Sequence, residues 1–422
     1  MAMSLDQWLD YQLRTHPQSI AMGLDRVREV ARRLALGRPG KQVITVGGTN
    51  GKGSTVAFIE AISVAAGFRV GAFTSPHLLR YNERVRLQGI EADDSVLVAA
   101  FERIEAARAE IPLTYFEFGT LAALLVFEQS SLDLAILEVG MGGNLDAVNI
   151  IDADIAVITT VDLDHQEYLG PDRETIGADK AGIFRAGKPC VLAERDPPSS
   201  VLRHAYAIGA PAIRGHSDYL VDIRADGWTW REPGYEIALP LPVLSAPAQI
   251  GNAAAAIAAL RALPLKISDQ AIFHGIATAT VAGRLQLLRE NPQVVLDVGH
   301  NPQAAYQLAV WLEAHPRRTR AVFSAMRDKD IEGLVMRLDP HLDSWHVAGI
   351  SDAGRRGMSG AELGERLAPL VAPARLSVHD TVAQAQAEAL LRSQADERVL
   401  VFGSFHTVAD ALRADAGSVA GV

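Results

Sequence analysis

The sequence is poor in cysteine, in long apolar runs and in processing signals. Cys190 is the single cysteine among 422 residues, so a disulfide framework and a thiolate metal cluster are excluded. We expect its thiol to be buried as a small apolar side chain. No apolar run reaches the ~20 residues that a membrane-spanning helix needs, and the first residues lack the basic and apolar segments of a signal peptide. We therefore expect a cytoplasmic protein with no membrane partner.

Positive charge is also in short supply. Lysine and arginine number 40 against 50 aspartate and glutamate residues, which gives a formal net charge of −10 at pH 7. That balance argues against a general binder of nucleic acid or of anionic membranes, and it leaves room only for local basic sites. No nucleic-acid partner is therefore expected. We also expect a monomer.

What the sequence does contain is a glycine-rich loop, Val46-Gly47-Gly48-Thr49-Asn50-Gly51-Lys52-Gly53-Ser54. An apolar run precedes it and a helix-patterned run follows it, which is the context of a phosphate-binding loop. Glycines let successive N–H groups converge on phosphate oxygens, and the helix N-terminus adds its positive end. Lys52 would reach the terminal phosphates, and Ser54 would contact Mg²⁺ or phosphate. The alternative is a glycine turn with an exposed lysine.

Two continuous apolar runs, residues 133–139 and 155–159, predict parallel strands that are buried on both faces. They run into the polar segments 140–147 and 162–165. Ligands gather at the carboxyl ends of such strands, and Glu138 and His165 lie at or just beyond those ends. The segment 74–84 is so polar and turn-rich that we expect it to stay out of the core.

The pattern changes twice along the rest of the chain. Between about 212 and 242, short strands with Asp-Gly and Pro-Gly turns predict a small antiparallel lobe on the first domain. After Gly283-Arg284 the alternation of strands and helices restarts, with four strand-like runs at 294–298, 320–324, 344–348 and 398–402. This pattern predicts a second α/β domain with a boundary near 282. This second part has no G-x-G-x-x-G motif, so no dinucleotide is proposed.

Ordered motifs along essentially the whole chain resemble the dihydrofolate synthase/folylpolyglutamate synthase family of the Mur ligase superfamily. Its loop variant G-T-N-G-K-G-S places the hydroxyl one residue later than the common phosphate loop does. The other matching strings are Ser75-Pro76-His77-Leu78, Asn82-Glu83-Arg84-Val85, Glu138-Val139-Gly140-Met141-Gly142-Gly143, Leu145-Asp146-Ala147, Asp164-His165, Lys180-Ala181-Gly182-Ile183-Phe184-Arg185, Gly283-Arg284, Asp297-Val298-Gly299-His300-Asn301-Pro302 and Gly403-Ser404-Phe405-His406.

The resemblance implies an N-terminal P-loop ATP-binding domain over residues 1–282, with a mostly parallel sheet, and a smaller C-terminal Rossmann-like ligase domain over 283–422. It implies ATP and Mg²⁺ as cofactors, with Lys52, His165 and Lys180 as catalytic residues. The residues implied to contact the nucleotide are Thr49, Asn50, Gly51, Lys52, Gly53, Ser54, Asn252, Arg284, Asp297 and His300. The residues implied to bind metal are Ser54, Ser75, Glu138, His165 and a carbamylated Lys180.

Each metal-site residue also has a plainer interpretation from the sequence alone. Glu138 could be a buried, hydrogen-bonded carboxylate, His165 a helix cap, and Ser75 a turn hydroxyl before Pro76. For Lys180, which the family modifies with CO₂, the residues alone favour a lysine on the surface of a helix.

The family adds L-glutamate to dihydropteroate and to reduced folates through an acyl phosphate, so these small molecules are the implied substrates. An aromatic side chain beside a carboxylate suits a flat, hydrogen-bonding pterin, although Tyr115 and Phe116 could equally pack in a helix core. The residues implied to bind the acceptor are Ala21, Met22, Gly23, Leu24, Thr114, Tyr115, Phe116, Glu117, Leu145, Asp146 and Ala147.

Three alternatives remain at this point. The first is a folylpolyglutamate synthase without the dihydropteroate activity, and the second is a Mur-type peptidoglycan ligase. The third is a nucleotide-binding switch without ligase chemistry, which would have no use for Lys180, Arg284 and Asp297 beside the phosphate loop.

Overall fold

A computed structural model describes residues 3–16, 20–350 and 354–419. The chain divides into two compact units. The first consists of Met1–Val243 with Gln249–Thr280, and the second of Leu244–Ala248 with Val281–Val422. Both units are α/β, and the predicted fold class is confirmed.

The first unit is built on an eight-stranded sheet with the spatial order β4-β3-β2-β5-β1-β6-β7-β8. The six strands from β2 to β8 in that order are parallel, and β3 and β4 add an antiparallel edge. The strands are β1 (Gln42–Gly47), β2 (Val70–Phe73), β3 (Val85–Leu87), β4 (Ile90–Glu91), β5 (Leu134–Glu138), β6 (Ile155–Ile158), β7 (Cys190–Leu192) and β8 (Ala212–Arg214).

Helices account for most of the connections in this unit. They are α1 (Leu5–Thr15), α2 (Asp25–Arg33), α3 (Lys52–Ala65), α4 (Asp94–Arg108), α5 (Tyr115–Gln129), α6 (Gln166–Leu169), α7 (Arg173–Ala181), α8 (Ser199–Ala207), α9 (Gln249–Arg261) and α10 (Asp269–Thr278). All five residues of β5 are buried, as the continuous apolar run predicts. Cys190 is fully buried, which confirms its expected role.

The expectation that segment 74–84 stays out of the core is wrong. Tyr81 and Asn82 are 3% and 2% exposed. The Asn82 amide donates hydrogen bonds to the carbonyl of Ala92 at 2.7 Å and to Asp94 at 2.8 Å. Polar residues are tolerated in a core when their hydrogen bonds are made there, and sequence composition does not reveal such distant partners.

The predicted antiparallel lobe is a three-stranded sheet of β9 (Leu220–Arg224), β10 (Gly227–Glu232) and β11 (Tyr235–Leu239), with β10 in the centre. Trp228 and Trp230 fill its buried face. The indole N–H of Trp230 donates to the carbonyl of Ala254 at 3.2 Å, which joins the lobe to α9.

The second unit has a six-stranded sheet in the order β12-β13-β17-β14-β15-β16, parallel except for β12 at one edge. Sequence analysis predicted four of its strands and missed the two edge strands, β12 and β16, which are mostly half-buried or exposed. The elements are β12 (Gln286–Glu290), β13 (Gln293–Asp297), α11 (Pro302–Ala314), β14 (Thr319–Phe323), α12 (Ile331–Leu338), β15 (Ser344–Ala348), α13 (Gly360–Leu367), β16 (Leu376–His379), α14 (Val382–Leu391), β17 (Arg398–Phe402) and α15 (Phe405–Val419).

Within the described ranges, every helix is too short or too polar to cross a membrane.

Helix α3, which begins at the glycine-rich loop, packs closely against α10. A Cβ added to Gly275 of α10 would lie 2.5 Å from the Ile62 backbone of α3. Gly251 of α9 has nothing within 4 Å of the same position. Alanine substitutions at these two helical glycines therefore distinguish the effect of helix propensity on stability from the effect of close packing.

We expect Gly275→Ala to lower the free energy of unfolding by about 1–3 kcal/mol, because the overlap with backbone outweighs the better helix propensity of alanine. Gly251→Ala should raise it by about 0.5–1 kcal/mol, because the site is open and the unfolded chain loses freedom. Urea unfolding of both variants checks this pair. Equal effects of the two substitutions would contradict the close packing of α3 and α10.

Candidate active site

The glycine-rich loop connects β1 to α3, as predicted. Gly51 adopts φ +86° just before the helix begins, and a side chain there would collide with the amide of Asn252. Only glycine combines this backbone conformation with so close an approach. Asn252, which is 7% exposed on α9, is thereby held against the loop.

Hydrogen bonds from the segment after β6 fix the shape of the loop. The N–H of Thr49 donates to the carbonyl of Thr160 at 2.7 Å, and the N–H of Asn50 donates to the Thr160 hydroxyl at 3.1 Å. Lys52 donates to the carbonyls of Gly48 at 3.1 Å and Thr49 at 3.2 Å. The lysine is half-buried rather than exposed, so the turn with an exposed lysine is not what the chain forms.

Glu138, Ser75 and the start of α3 lie together. Glu138 ends β5 and is 4% exposed. Its Oε2 accepts the N–H of Ser75 at 3.2 Å, and its carboxylate would lie 3.6 Å from a Cβ at Gly53. Within the described part of the chain, the buried Ser54 hydroxyl has no hydrogen-bond partner. This set of hard oxygen donors suits Mg²⁺, and the orphaned hydroxyl points to a ligand.

His165 directly precedes the short helix α6 and has φ +50°. Its side chain makes no capping hydrogen bond to that helix, so it does not act as a side-chain cap. The ring is 28% exposed, and its Nε2 lies 3.9 Å from Asp164.

Lys180 is not a surface lysine, and the interpretation from the residues alone is wrong here. It lies on α7 and is only 3% exposed. Burial, and next the charge of Lys52, lower its pKa to about 7, although Asp179, Asp164 and Asp146 act in the opposite direction. A neutral amine is therefore accessible near neutral pH. The burial was not predictable, because it depends on the loop 140–147 that covers the helix.

Asp146 is buried in the same region. Its two oxygens accept the N–H groups of Met141 at 2.9 Å and Val148 at 3.1 Å. Burial nevertheless raises its pKa to about 7, against these hydrogen bonds and the charge of Lys52. Two buried groups with strongly shifted pKa values next to a phosphate loop are typical of a functional site.

The residues predicted to bind the acceptor come together from three parts of the chain. Thr114 caps α5, and the Glu117 carboxylate accepts the Thr114 N–H at 2.7 Å. Glu117 also pairs with Arg26 at 3.1 Å, and Arg26 donates to the carbonyl of Ala21 at 2.8 Å. Arg26 thus ties segment 21–24 to the start of α5. Sequence reasoning missed Arg26, which its motifs do not include.

Phe116 faces the loop that carries Asp146. Its ring lies so close to Gly140 that a Cβ there would be 2.6 Å away. Tyr115 points elsewhere, since its ring meets Tyr81 edge-on at 5.7 Å and lies 5.3 Å from the Arg84 guanidinium. Leu145 is exposed and Ala147 is buried, on either side of Asp146.

In the second unit, Arg284, Asp297 and His300 gather at the carboxyl end of β13. Asp297 is 7% exposed and accepts the N–H groups of Leu285 at 2.9 Å and Gly299 at 2.7 Å. Burial raises its pKa, opposed first by the charge of Arg284. Arg284 lies over the ring of Phe405 at 5.6 Å, and Nδ1 of His300 is 2.9 Å from the Val298 carbonyl.

The fold and the phosphate-loop site define a Mur-type ligase. Residues 46–260 match the model of the Mur ligase middle domain, and residues 283–405 match the Mur ligase glutamate ligase domain. Within that superfamily, the chain belongs to the dihydrofolate synthase/folylpolyglutamate synthase family. It is 46% identical to the Escherichia coli dihydrofolate synthase/folylpolyglutamate synthase over 97% of this chain and 94% of that protein. The Haemophilus influenzae enzyme of the same name is 40% identical over 96% of each.

Solved structures are similar as well. E. coli FolC in complex with DHPP and ADP has a TM-score of 0.94 and 44% identity over 99% of both chains. A bifunctional folylpolyglutamate synthase/dihydrofolate synthase with Mn, AMPPNP and L-glutamate bound has a TM-score of 0.91 and 43% identity over 98% of both. The predicted family is confirmed.

Proposed function

We propose that this chain is an ATP-dependent ligase that adds L-glutamate both to dihydropteroate, giving dihydrofolate, and to reduced folates. The observation that carries the proposal is the convergence, at one edge of the first sheet, of the phosphate loop, the Glu138–Ser75 pair and the buried Lys180 and Asp146. Support also comes from full-length relatives that carry both names and from similar structures that contain ADP or AMPPNP, manganese, L-glutamate and DHPP.

In this proposal residues 49–54 and Asn252 hold ATP. We also assign nucleotide contacts to Arg284, Asp297 and His300 of the second unit. Ser54, Ser75, Glu138 and His165 hold Mg²⁺. Bound Mg²⁺ offsets negative charge on the phosphate oxygens. The orphaned Ser54 hydroxyl and the carboxylate of Glu138 facing the start of α3 fit this assignment.

The chemistry joins a carboxylate to an amine. The acceptor carboxylate attacks the γ-phosphorus of ATP, giving an acyl phosphate and ADP. The amine of glutamate then attacks the acyl carbon, loses a proton and expels phosphate. Lys52 places its positive charge where the two anions must approach each other, and it is already oriented by the Gly48 and Thr49 carbonyls. The surrounding loops position the reactants and exclude water from the acyl phosphate.

We assign acceptor binding to the region formed by segment 21–24, the start of α5 and the loop that carries Leu145, Asp146 and Ala147. Phe116 offers a flat apolar ring against that loop, and the Arg26–Glu117 ion pair holds the start of α5 near segment 21–24. Asp146 is buried with a pKa near 7, so it can accept or donate hydrogen bonds to a pterin.

We further propose that Lys180 is carbamylated. Its neutral amine attacks CO₂ and releases a proton, which leaves a carboxylate on a long side chain beside the metal-binding residues. The low pKa of Lys180 supplies the neutral amine that this reaction needs.

We further propose that the enzyme acts in the cytoplasm as a monomer.

One assay tests the function directly. Purified protein with ATP, Mg²⁺ and glutamate is offered dihydropteroate and tetrahydrofolate in parallel, and glutamylated products are measured. Product from both acceptors supports the proposal. Product from tetrahydrofolate alone indicates a monofunctional folylpolyglutamate synthase, and ATP hydrolysis that needs no acceptor points to a nucleotide switch.

Lys52→Ala should lower both ligase activities by at least about 100-fold, because it removes a charge aimed at the transferred phosphoryl group. Lys188→Ala is the matched control, since Lys188 is half-exposed and pairs with Asp154 away from the loop. Near-normal turnover of the Lys52 variant would refute the phosphate-loop assignment.

Phe116→Ala should damage dihydropteroate use more than tetrahydrofolate use, because the lost ring contacts the proposed pterin pocket. Phe273→Ala, an exposed phenylalanine on α10, is the control. Asp146→Ala should also damage dihydropteroate use more than tetrahydrofolate use. Its result is harder to interpret, because the substitution also leaves the Met141 and Val148 N–H groups without their acceptor and so disturbs the loop. Equal losses of both activities, with nucleotide affinity unchanged, would mean that no separate acceptor site exists here.

Lys180→Ala should lose most activity, and Lys180→Arg should fail too, although charge and length are nearly kept. Acetate or formate should partly restore the alanine variant by occupying the vacated site, but not the arginine variant, whose side chain fills it. Activity is measured with and without each anion, and Lys188→Arg serves as the control. A fully active Lys180→Arg enzyme would rule out the carbamate.

A further inference from the structure

Two histidines of the second unit lie together on one face of its sheet, away from Arg284 and Asp297 along the chain. His346 is in the middle of β15, and His379 ends the edge strand β16. In the parallel register Ala348 lies opposite His379, and residues two apart on a strand share a face. The two imidazole rings are stacked with centroids 5.6 Å apart and an angle of 23°.

Both rings carry a buried nitrogen whose hydrogen bond is missing. Among the residues that the structure describes, Nδ1 of His346 and Nε2 of His379 have no partner. His346 has no exposed surface, and the side chain of His379 is only 9% exposed. A buried polar atom without a partner is costly, and such atoms in native proteins usually indicate a missing ligand.

A carboxylate completes the group. Glu388 of α14 places Oε2 3.5 Å from Nδ1 of His379. One ligand atom from each of His346, His379 and Glu388 lies within 4.8 Å of the others. Ligand atoms around a tetrahedral zinc ion are about 3.4 Å apart, from bond lengths near 2.1 Å. Binding would therefore draw these atoms closer, and the Glu388 side chain, which is 31% exposed, is the one of the three with most freedom to move.

We propose that His346, His379 and Glu388 bind a divalent transition-metal ion of the zinc type, with a fourth position left for water. Two imidazoles and one carboxylate form a recognised ligand set for zinc. Mg²⁺ prefers oxygen ligands and an octahedron, so it is not the ion for this site. The ion would pin the edge strand β16 and helix α14 to β15.

Charges around the cluster are compatible with an added cation. Burial, and next the neighbouring His379, lower the pKa of His346 to about 4, so this ring is neutral and able to coordinate at pH 7. Of the nearby cations, Arg320 is paired with Glu397 at 2.6 Å. Arg392 is paired with Glu388 and competes with the ion, but its side chain is 57% exposed and can move into solvent.

The test uses the full chain after removal of metals with a chelator. Zn²⁺ binding is measured by equilibrium dialysis in excess Mg²⁺, which occupies oxygen-rich sites. We expect Glu388→Gln and His346→Gln each to weaken one zinc site by at least about 100-fold. Arg392→Gln should tighten it, because the competing guanidinium is gone. Zn²⁺ should also raise the unfolding temperature of the wild type more than that of Glu388→Gln.

The matched control is His341→Gln. Nε2 of His341 lies 3.6 Å from Glu313, so this histidine also has a carboxylate beside it. The pair offers one imidazole, whereas the proposed site offers two. This control should retain the zinc site. The proposal is overturned if wild type and Glu388→Gln bind zinc with equal affinity. It is also overturned if His341→Gln loses as much zinc affinity as His346→Gln does. Because Glu388 is partly exposed, its variant still decides the question if His346→Gln fails to fold. Both readouts are independent of ligase activity.

Discussion

The parallel pairing of β1 with β5 and β6 is the constraint on which the proposed catalytic site depends. In that register Val46 lies opposite Glu138, and Gly47 lies opposite Ile158. The glycine loop, the Glu138 carboxylate that we assign to the metal and the segment toward His165 therefore leave the sheet at one edge. A slip of one residue in β5 would turn Glu138 to the other face of the sheet.

The same edge concentrates charge in a region from which water is largely excluded. Lys180 and Asp146 are both buried, and their pKa values move toward 7 from opposite directions. At neutral pH each can change its protonation state at little cost in free energy, which suits the roles that we propose for them. The structure thus gives a physical reason why these two residues, rather than exposed ones, would carry modification and acceptor binding.

Local signals in the sequence predicted much of this arrangement. The continuous apolar strands, the glycine loop and the antiparallel lobe depend on residues close together in the chain, and each was found. What could not be predicted depends on distant partners. The burial of Lys180 requires loop 140–147. Arg26 pairs with Glu117, which is 91 residues away in the sequence. Asn82 is buried because its amide donates hydrogen bonds to Ala92 and Asp94, on the far side of β4 in the chain. The pairing of His346 with His379 likewise needs the register of an edge strand that sequence analysis missed.

Loop 140–147 links the two halves of the proposed chemistry. Glu138, two residues before the loop, faces the beginning of α3, and Asp146 near the end of the loop accepts the N–H of Met141. Phe116 packs against the loop at Gly140, between those two residues in sequence. If Phe116 contacts the acceptor as proposed, the backbone that it packs against directly follows the carboxylate that we assign to the metal. The proposed acceptor contacts and the proposed metal-binding carboxylate therefore share this loop, whereas segment 21–24 is tied through Arg26 to Glu117 of α5. We therefore expect acceptor preference to change with less damage to ATP use through segment 21–24 than through the loop itself.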